Sequence, residues 1–146
     1  MMKIVSSAFE NNSKIPSKYS CDGQNINPPL SFSGVPSDAK SLVLIMDDPD
    51  ALVGVWIHWV MFNIDPKAGG VLENSIPKDE VEGLTSFGKA GYGGPCPPSG
   101  THRYFFKLYA LDTVLNLTNP DKSGLEKEMQ GHLIEKAELV GLYGRN

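Results

Sequence analysis

Three side chains that can bind a ligand through a charge or a proton lie in or beside apolar runs of strand length. They are Asp48, His58 and His102. The runs are 41–46, 55–64 and 103–111. An imidazole ring gains and loses its charge near neutral pH, and a nearby carboxylate favours the charged ring whereas burial opposes it. If the three strands are neighbours, we expect these groups to meet at the rim of one cavity that suits a small anion.

The residues before His102 form a loop rich in glycine and proline, Gly91-Tyr-Gly-Gly-Pro-Cys-Pro-Pro-Ser-Gly-Thr101. Glycine lets backbone N–H groups approach a ligand closely, whereas proline locks φ and removes donors. Such a loop has a defined shape and can present N–H groups to a small anion. Apolar walls are typical of small-molecule pockets. The predicted wall residues are Trp56, Pro97, Pro98 and Tyr104.

The alternation of side chains along a strand predicts the neighbours of each histidine. With a period of two, His58 shares a face with Trp56, Val60 and Phe62. A histidine on an apolar face is more often a core residue bonded to the backbone than a ligand-binding group. This structural role stays open for His58 and His102, while His132 in the presumed helix is interpreted as structural or exposed.

Composition and charge exclude several functional classes for this chain. A length of 146 residues, with 40% hydrophobic and 21% charged residues, predicts one globular domain over 1–146. A net charge of −4 without a basic cluster argues against binding of nucleic acid. No apolar run approaches the roughly 18 residues that span a membrane, and the first residues lack the apolar core of a signal peptide. We therefore expect a cytoplasmic location.

Short β-type runs separated by glycine and proline predict a mainly β chain of stacked antiparallel sheets. Apolar residues on both faces of 41–46 and 55–64 predict either central strands that are covered on each side or strands with one face lining a pocket. Helical periodicity is confined to the C-terminal part, where Ser123-x-x-Glu126 matches a capping box. The helical stripe is Leu125, Met129, Leu133 and Ala137. Residues 138–143 are expected to return as a short strand.

The two cysteines, Cys21 and Cys96, are expected to be buried and reduced, because two cysteines do not make a disulfide framework. A bridge between them remains the alternative. Neither has a second cysteine at C-x-x-C spacing, so no zinc site is expected.

Two other functions compete with binding. One carboxylate and two imidazoles could perform acid–base catalysis as a cofactor-independent hydrolase, but the chain has no G-x-S-x-G nucleophile motif. The same three groups could form a facial metal triad, although the order Asp48, His58, His102 lacks the closely spaced pair typical of that class. We expect no catalytic residue, no metal and no cofactor.

Separate motifs resemble the phosphatidylethanolamine-binding protein family, which includes Raf kinase inhibitor protein and the plant flowering-time regulators. They are Asp48-Pro-Asp-Ala51, Trp56-x-His58 and Gly94-Pro-Cys-Pro-Pro-Ser-Gly-Thr-His-Arg-Tyr104. Cys21-Asp-Gly and Asn27-Pro-Pro-Leu30 resemble the bacterial and archaeal branch. The resemblance runs from about Tyr19 to Tyr143.

The resemblance implies a Greek-key β-sandwich with a small C-terminal helical element. It also implies a pocket for a small anion or a phosphate-bearing headgroup, and regulation of a kinase or protease by binding. The sequence itself leaves open whether the chain forms a homodimer. The implied ligand-binding residues are Asp48, His58, His102, Ala51, Trp56, Gly94, Pro97, Pro98 and Tyr104. Asp50 and Arg103 are expected to form a structural ion pair beside them.

The chain departs from the family pattern at two places near the expected pocket. Leu52 stands where the family often has proline, which changes the rim. Thr85 or Ser86 stands where the bacterial branch usually has asparagine.

Overall fold

The structure is a computed structural model that describes residues 1–77 and 80–145. Its strands are β1 (Lys3–Val5), β2 (Ser13–Lys14), β3 (Leu30–Ser33), β4 (Ser41–Asp48), β5 (Trp56–Ile64), β6 (Gly70–Val71), β7 (Val81–Glu82), β8 (Thr101–Leu111) and β9 (Leu133–Gly144). Its helices are a 3-10 turn (Ser17–Tyr19) and α1 (Lys122–Met129). The prediction of a mainly β fold with a small helical element is confirmed.

In the described residues the strands form two sheets, ordered β1-β3-β6 and β2-β9-β8-β4-β5-β7. The pairings are antiparallel except for the short parallel contact of β2 with β9. Strand β4 lies between β5 and β8. Because both neighbours run antiparallel to β4, the end of β4 at Asp48 meets the starts of β5 and β8. The topology therefore brings the three predicted strand ends together.

The core lies on both faces of the larger sheet. All eight residues of β4 are buried, as expected of a strand covered on each side. One cluster joins the two sheets and contains Leu44, Phe106 and Phe32. A second cluster lies on the opposite face, where Leu125 and Met129 of α1 cover the sheet. The result is a sandwich with one helix packed outside it.

Strand β5 contains two bulges that change which residues share a face. Residues Met46 and Asp47 of β4 pair with Trp59 and Ile57, so His58 is one extra residue between them. Ile57, Val60 and Phe62 consequently lie in the helix-side cluster, whereas the ring of His58 packs against Tyr104 on the inter-sheet side. The predicted common face of His58 with Val60 and Phe62 is therefore wrong, because a bulge shifts the alternation by one residue.

The C-terminal helix is shorter than its periodicity predicts. Helix α1 ends at Met129, and Gly131 follows with φ +83°, a backbone conformation that favours glycine. The N-cap is Asp121, whose carboxylate accepts from the Gly124 N–H, so the capping box at Ser123 is wrong. Leu133 and Ala137 belong to β9, whose pairing with β8 prevails over their helical spacing.

Neither helix in the described part of the chain is long and apolar enough to cross a membrane.

The expectation of buried, reduced cysteines is wrong. Cys21 and Cys96 form a disulfide across 75 residues of sequence, with Cα atoms 5.5 Å apart. Both residues are exposed. The fold brings the loop after the 3-10 turn against the glycine- and proline-rich loop, where the Cys21 N–H donates to the carbonyl of Pro95 at 3.1 Å.

Candidate functional site

A cavity of about 250 Å³ opens where the end of β4 meets the starts of β5 and β8. Its lining residues are Asp48, Ala51, Leu52, Val53, Trp56, His58, Phe87, Cys96, Pro97, Pro98, His102 and Tyr104. Eight of the nine residues singled out as ligand-binding line it, and Gly94 does not. Side chains that are far apart in sequence thus meet at one end of the sheet.

Asp48 and His102 form a buried pair at the inner end of the cavity. The Nδ1 atom of His102 lies 2.7 Å from Oδ2 of Asp48, and the two side chains are only 10% and 5% exposed. The second carboxylate oxygen, Oδ1, accepts from the backbone N–H of Asp50 at 2.7 Å. The carboxylate therefore fixes the ring orientation and leaves Nε2 of His102 without a hydrogen bond among the described residues.

His58 is held by the backbone of the neighbouring loop. Its Nδ1 lies 2.7 Å from the carbonyl oxygen of Gly93, so Nδ1 carries a proton and donates it. The backbone carbonyl of His58 accepts in turn from the Gly93 N–H at 3.0 Å. Burial lowers the pKa of His58, against the opposing effects of the Gly93 carbonyl and the charge of Asp48. The ring is therefore mainly neutral at neutral pH, with a lone pair on Nε2.

Tyr104 supplies a third polar atom. Its side chain is fully buried, and its hydroxyl lies close to the Asp48 carboxylate but makes no hydrogen bond of regular geometry in the described part of the structure. Burial, and then the charge of Asp48, raise the pKa of this phenol, so the hydroxyl keeps its proton. The ring centroid lies 5.2 Å from His58 and 6.4 Å from His102.

The lowered pKa of His58 predicts an acid-sensitive fold. The unfolded ring has an ordinary pKa near 6.5, and the folded ring has a lower one, so the unfolded chain binds more protons between the two values. Stability should therefore fall as the pH is lowered through that window. The free energy of unfolding, measured in urea at pH 7.5 and at pH 5, should decrease less between the two pH values for His58→Gln than for the wild type. An unchanged loss in the variant would contradict a neutral, buried His58.

Asp50 and Arg103 form the ion pair expected beside the site. Arg103 donates from Nε and Nη2 to the two carboxylate oxygens at 2.9 and 2.8 Å, and its backbone N–H donates at 2.9 Å. The Arg103 side chain holds the pKa of Asp50 at about 2. Because Asp50 also donates its N–H to Asp48, the pair connects the turn after β4 to the strand that carries His102.

The geometry gives Gly94 a packing role rather than a place in the lining. Its N–H donates to the side-chain oxygen of Asn25 at 2.8 Å. A Cβ at Gly94 would lie 2.2 Å from the Tyr19 carbonyl oxygen and 2.4 Å from Asn25 Oδ1. The N–H of Gly93 is also used, by His58. The expected presentation of glycine N–H groups to an anion is therefore not what these two residues do.

Three lining residues were not identified from the sequence: Val53, Phe87 and Cys96. Phe87 packs edge-on against Trp56 and His58, with ring centroids 5.5 Å away in each case. It lies in a loop without strand periodicity, so no local pattern distinguishes it. Val53 does have a sequence signal, because the apolar pair Leu52-Val53 closely follows the turn residues Asp48-Pro-Asp50, where polar side chains are usual.

The hydroxyls of Thr85 and Ser86 hold the loop after β7 and lie outside the cavity lining. Thr85 donates to the carbonyl of Lys89 at 2.7 Å, and Ser86 accepts from the N–H of Ile57 at 2.8 Å. They therefore support the backbone next to His58.

No group of three histidine, cysteine, aspartate or glutamate side chains is arranged to hold a metal ion among residues 1–77 and 80–145.

Known proteins are similar to this chain in sequence and in fold. The curated UPF0098 protein of Methanothermobacter thermautotrophicus is 53% identical over 150 residues, with 99% of each chain covered. The crystal structure of the phosphatidylethanolamine-binding protein homologue CT736 from Chlamydia trachomatis has a TM-score of 0.96 at 46% identity, covering 99% of this chain and 98% of that one.

The structure of E. coli YbcL, described as a member of the mammalian PEBP family, has a TM-score of 0.91 at 28% identity, with 99% of both chains covered. The model of the phosphatidylethanolamine-binding protein family matches residues 5–144. That match spans the strands and loops that build the cavity. This chain therefore belongs to the phosphatidylethanolamine-binding protein family.

Proposed function

We propose that this protein binds a small anion, such as a phosphate-bearing headgroup, in the cavity at the end of β4, and that it acts by binding rather than by turnover. The observation that carries the proposal is the convergence of the His58 and His102 rings on one cavity at the end of β4, beside the Asp48 carboxylate. Each of those rings uses Nδ1 internally and leaves Nε2 for a ligand.

The protonation of His58 favours a ligand that carries a proton of its own. The neutral His58 ring donates from Nδ1 to Gly93 and accepts a hydrogen bond at Nε2. A phosphate monoester with one P–OH group would donate that bond. If the dianion enters instead, His58 takes up a proton. In both cases we expect tighter binding at pH 6 than at pH 8.

Titration of the purified protein with inorganic phosphate and phosphoethanolamine tests the proposal. The ring signals of His58 and His102, followed by NMR, should shift with saturation. His58→Ala and His102→Ala should each weaken binding by about tenfold or more, since a hydrogen bond to a charged group contributes about 1.5–3 kcal/mol. The matched control is His132→Ala, because His132 is bonded to Asp112 outside the cavity lining. Unmoved rings at millimolar ligand would contradict the proposal.

Regulation of a protein partner, such as a kinase or protease, is the second part of the proposal. The mouth of the cavity carries Leu52 and Val53, which are 88% and 80% exposed, beside the half-exposed Phe87. Apolar side chains this exposed around a pocket are typical of an interaction site. Inhibition of a purified kinase or protease that is lost in a Leu52→Ser, Val53→Ser double variant would support this part. Inhibition that is unchanged in that variant would contradict docking at the rim.

An acid–base enzyme is the competing function, and the buried Asp48–His102 pair is the observation that favours it, because a carboxylate that orients an imidazole is a common general-base arrangement. Turnover of a phosphate monoester that His102→Ala abolishes would establish it. Binding without turnover would support the first proposal.

The cytoplasmic location expected from the sequence also remains a proposal. Disulfides are rare in the cytosol, apart from the intracellular proteins of hyperthermophiles. Alkylation of free thiols at the moment of cell lysis tests the proposal, because reduced Cys21 and Cys96 indicate a reducing compartment. A fully oxidised pair in cells whose cytosol is reducing would contradict it.

A further inference from the structure

One cavity wall is attached to the rest of the chain by the disulfide. We call residues 95–100 the wall segment; it contributes Cys96, Pro97 and Pro98 to the lining. Cys96 is bonded to Cys21, which lies in the loop that follows the 3-10 turn. The disulfide thus connects the lining of the proposed anion site to a distant part of the sequence.

The wall segment has little backbone hydrogen bonding to hold it. Prolines at 95, 97 and 98 have no N–H group to donate. Within the described residues, and outside the strand ladders, the backbone bond that reaches this segment is from Cys21 N–H to the Pro95 carbonyl. From residue 96 to residue 100 no such bond is found there. The disulfide at Cys96 therefore holds the wall segment in place, as backbone hydrogen bonds do in other loops.

The residues just before the wall segment are fixed independently of the disulfide. Gly93 exchanges hydrogen bonds with His58, and Gly94 donates to Asn25. The hydroxyl of Tyr92 donates to the carbonyl of Tyr19 at 2.7 Å. Loss of the disulfide should therefore release the wall segment while the position of His58 is retained.

Both cysteines are exposed, so a small thiol can reach the bond. The guanidinium of Arg145 lies 3.8 Å from Sγ of Cys96 and pairs with Asp22 at 2.9 Å. A nearby cation stabilises a thiolate and makes it the better leaving group. Attack on Sγ of Cys21, with Cys96 leaving as the thiolate, is therefore the favoured first step.

From this placement we infer that Cys21–Cys96 is a reversible thiol-redox site that tunes the affinity of the anion cavity. A dithiol reductant supplies two electrons. Its first thiolate forms a mixed disulfide at Cys21 and releases the Cys96 thiolate. Its second thiolate then displaces Cys21, closes the reductant into a cyclic disulfide and leaves both cysteines as thiols after protonation. The reduced wall segment is mobile, and a ligand must order it on binding. This inference rests on the proposed anion site.

The test compares the oxidised protein with protein reduced by dithiothreitol, using inorganic phosphate as the probe. Reduction should weaken phosphate binding about fivefold or more, because ordering even one loop residue costs about 1 kcal/mol or more. Backbone NMR relaxation should report faster motion at the amides of Ser99 and Gly100, with Gly93 and Gly94 as unaffected controls. The variant Cys21→Ala should resemble the reduced protein and should not respond to dithiothreitol.

The outcomes separate this inference from the proposal on which it rests. Equal phosphate affinity in both redox states would overturn the redox inference and leave the anion site standing. Absence of phosphate binding in both states would overturn the anion site and the control of affinity together, while the relaxation data would still decide whether the disulfide fixes the wall. Unchanged motion at Ser99 and Gly100 would overturn that mechanical step. A general loss of dispersion in the reduced spectrum would also overturn it, because the disulfide would then hold the whole fold.

Discussion

Asp48→Ala is expected to lower the free energy of unfolding by about 3 kcal/mol or more at neutral pH. The carboxylate is buried and lies 2.7 Å from Nδ1 of His102, which is itself buried. Removing one member of a buried pair leaves the other without its partner in a medium that solvates it poorly. The substitution also leaves the N–H of Asp50 without its acceptor.

The molecule provides a matched control for this substitution. His132 and Asp112 form a pair with the same 2.7 Å separation, but the side chains are 44% and 53% exposed. Exposed pairs contribute about 0–1 kcal/mol, so Asp112→Ala should change the stability by no more than that. Urea unfolding of both variants, with the disulfide intact, measures the difference. Equal losses would show that burial of the Asp48–His102 pair has no energetic consequence.

A conservative substitution separates charge from hydrogen bonding at this pair. Asp48→Asn keeps an oxygen that can accept from Nδ1 of His102, but removes the negative charge. We expect it to be intermediate in stability between the wild type and Asp48→Ala. It should also weaken phosphate binding, because a neutral amide holds the His102 ring less firmly than the charged carboxylate does. If Asp48→Asn binds phosphate as the wild type does, the charge of Asp48 plays no part in the proposed function.

The convergence of the polar groups could be predicted from the sequence because it depends only on strand order and direction. Asp48 ends an apolar run and His102 begins one, and antiparallel pairing of adjacent strands places those two ends side by side. Apolar patterning also predicted that β4 and β5 are buried on both faces. These features arise from hydrophobic patterning, which is local and leaves a clear trace in the sequence.

The orientation of His58 could not be predicted in that way. Its bulge is stabilised by two hydrogen bonds with Gly93, which lies 35 residues further along the chain. When this distant partner is unknown, side chains are expected to alternate with a period of two. That expectation wrongly places the His58 ring on the same face as Val60 and Phe62. The second bulge of β5 leaves a weak trace, since Asn63 has φ +56° and asparagine tolerates that conformation.

The disulfide and the length of α1 were missed for a related reason. Cys21 and Cys96 come together through the packing of two loops, and a separation of 75 residues gives no local signal. Leu133 and Ala137 match the helical stripe by spacing, yet their partners across the β8–β9 ladder decide their conformation. Gly131 at the break is the sequence feature that favours a helix end there.

Gly94→Ala is expected to lower the free energy of unfolding by about 3 kcal/mol or more, at the upper end of the usual cost of overpacking. The added Cβ would meet the Tyr19 carbonyl oxygen at 2.2 Å and Asn25 Oδ1 at 2.4 Å. One of these atoms belongs to the backbone, so the neighbour cannot simply rotate away. The loop would have to shift, and it also carries Gly93, which orients His58.

Gly100→Ala is the matched control for this substitution, since Gly100 lies in the same loop. A Cβ at Gly100 would meet no atom within 4 Å, and its cost is that of a left-handed backbone at φ +68°, about 1–2 kcal/mol. Unfolding free energies and phosphate affinities of both variants distinguish packing from ligand contact at Gly94. If Gly94→Ala keeps its stability but loses phosphate binding, Gly94 contacts the ligand, as the family resemblance implies. A large loss of stability shows instead that Gly94 is required for packing, because the two loops lie too close together there for any side chain to fit.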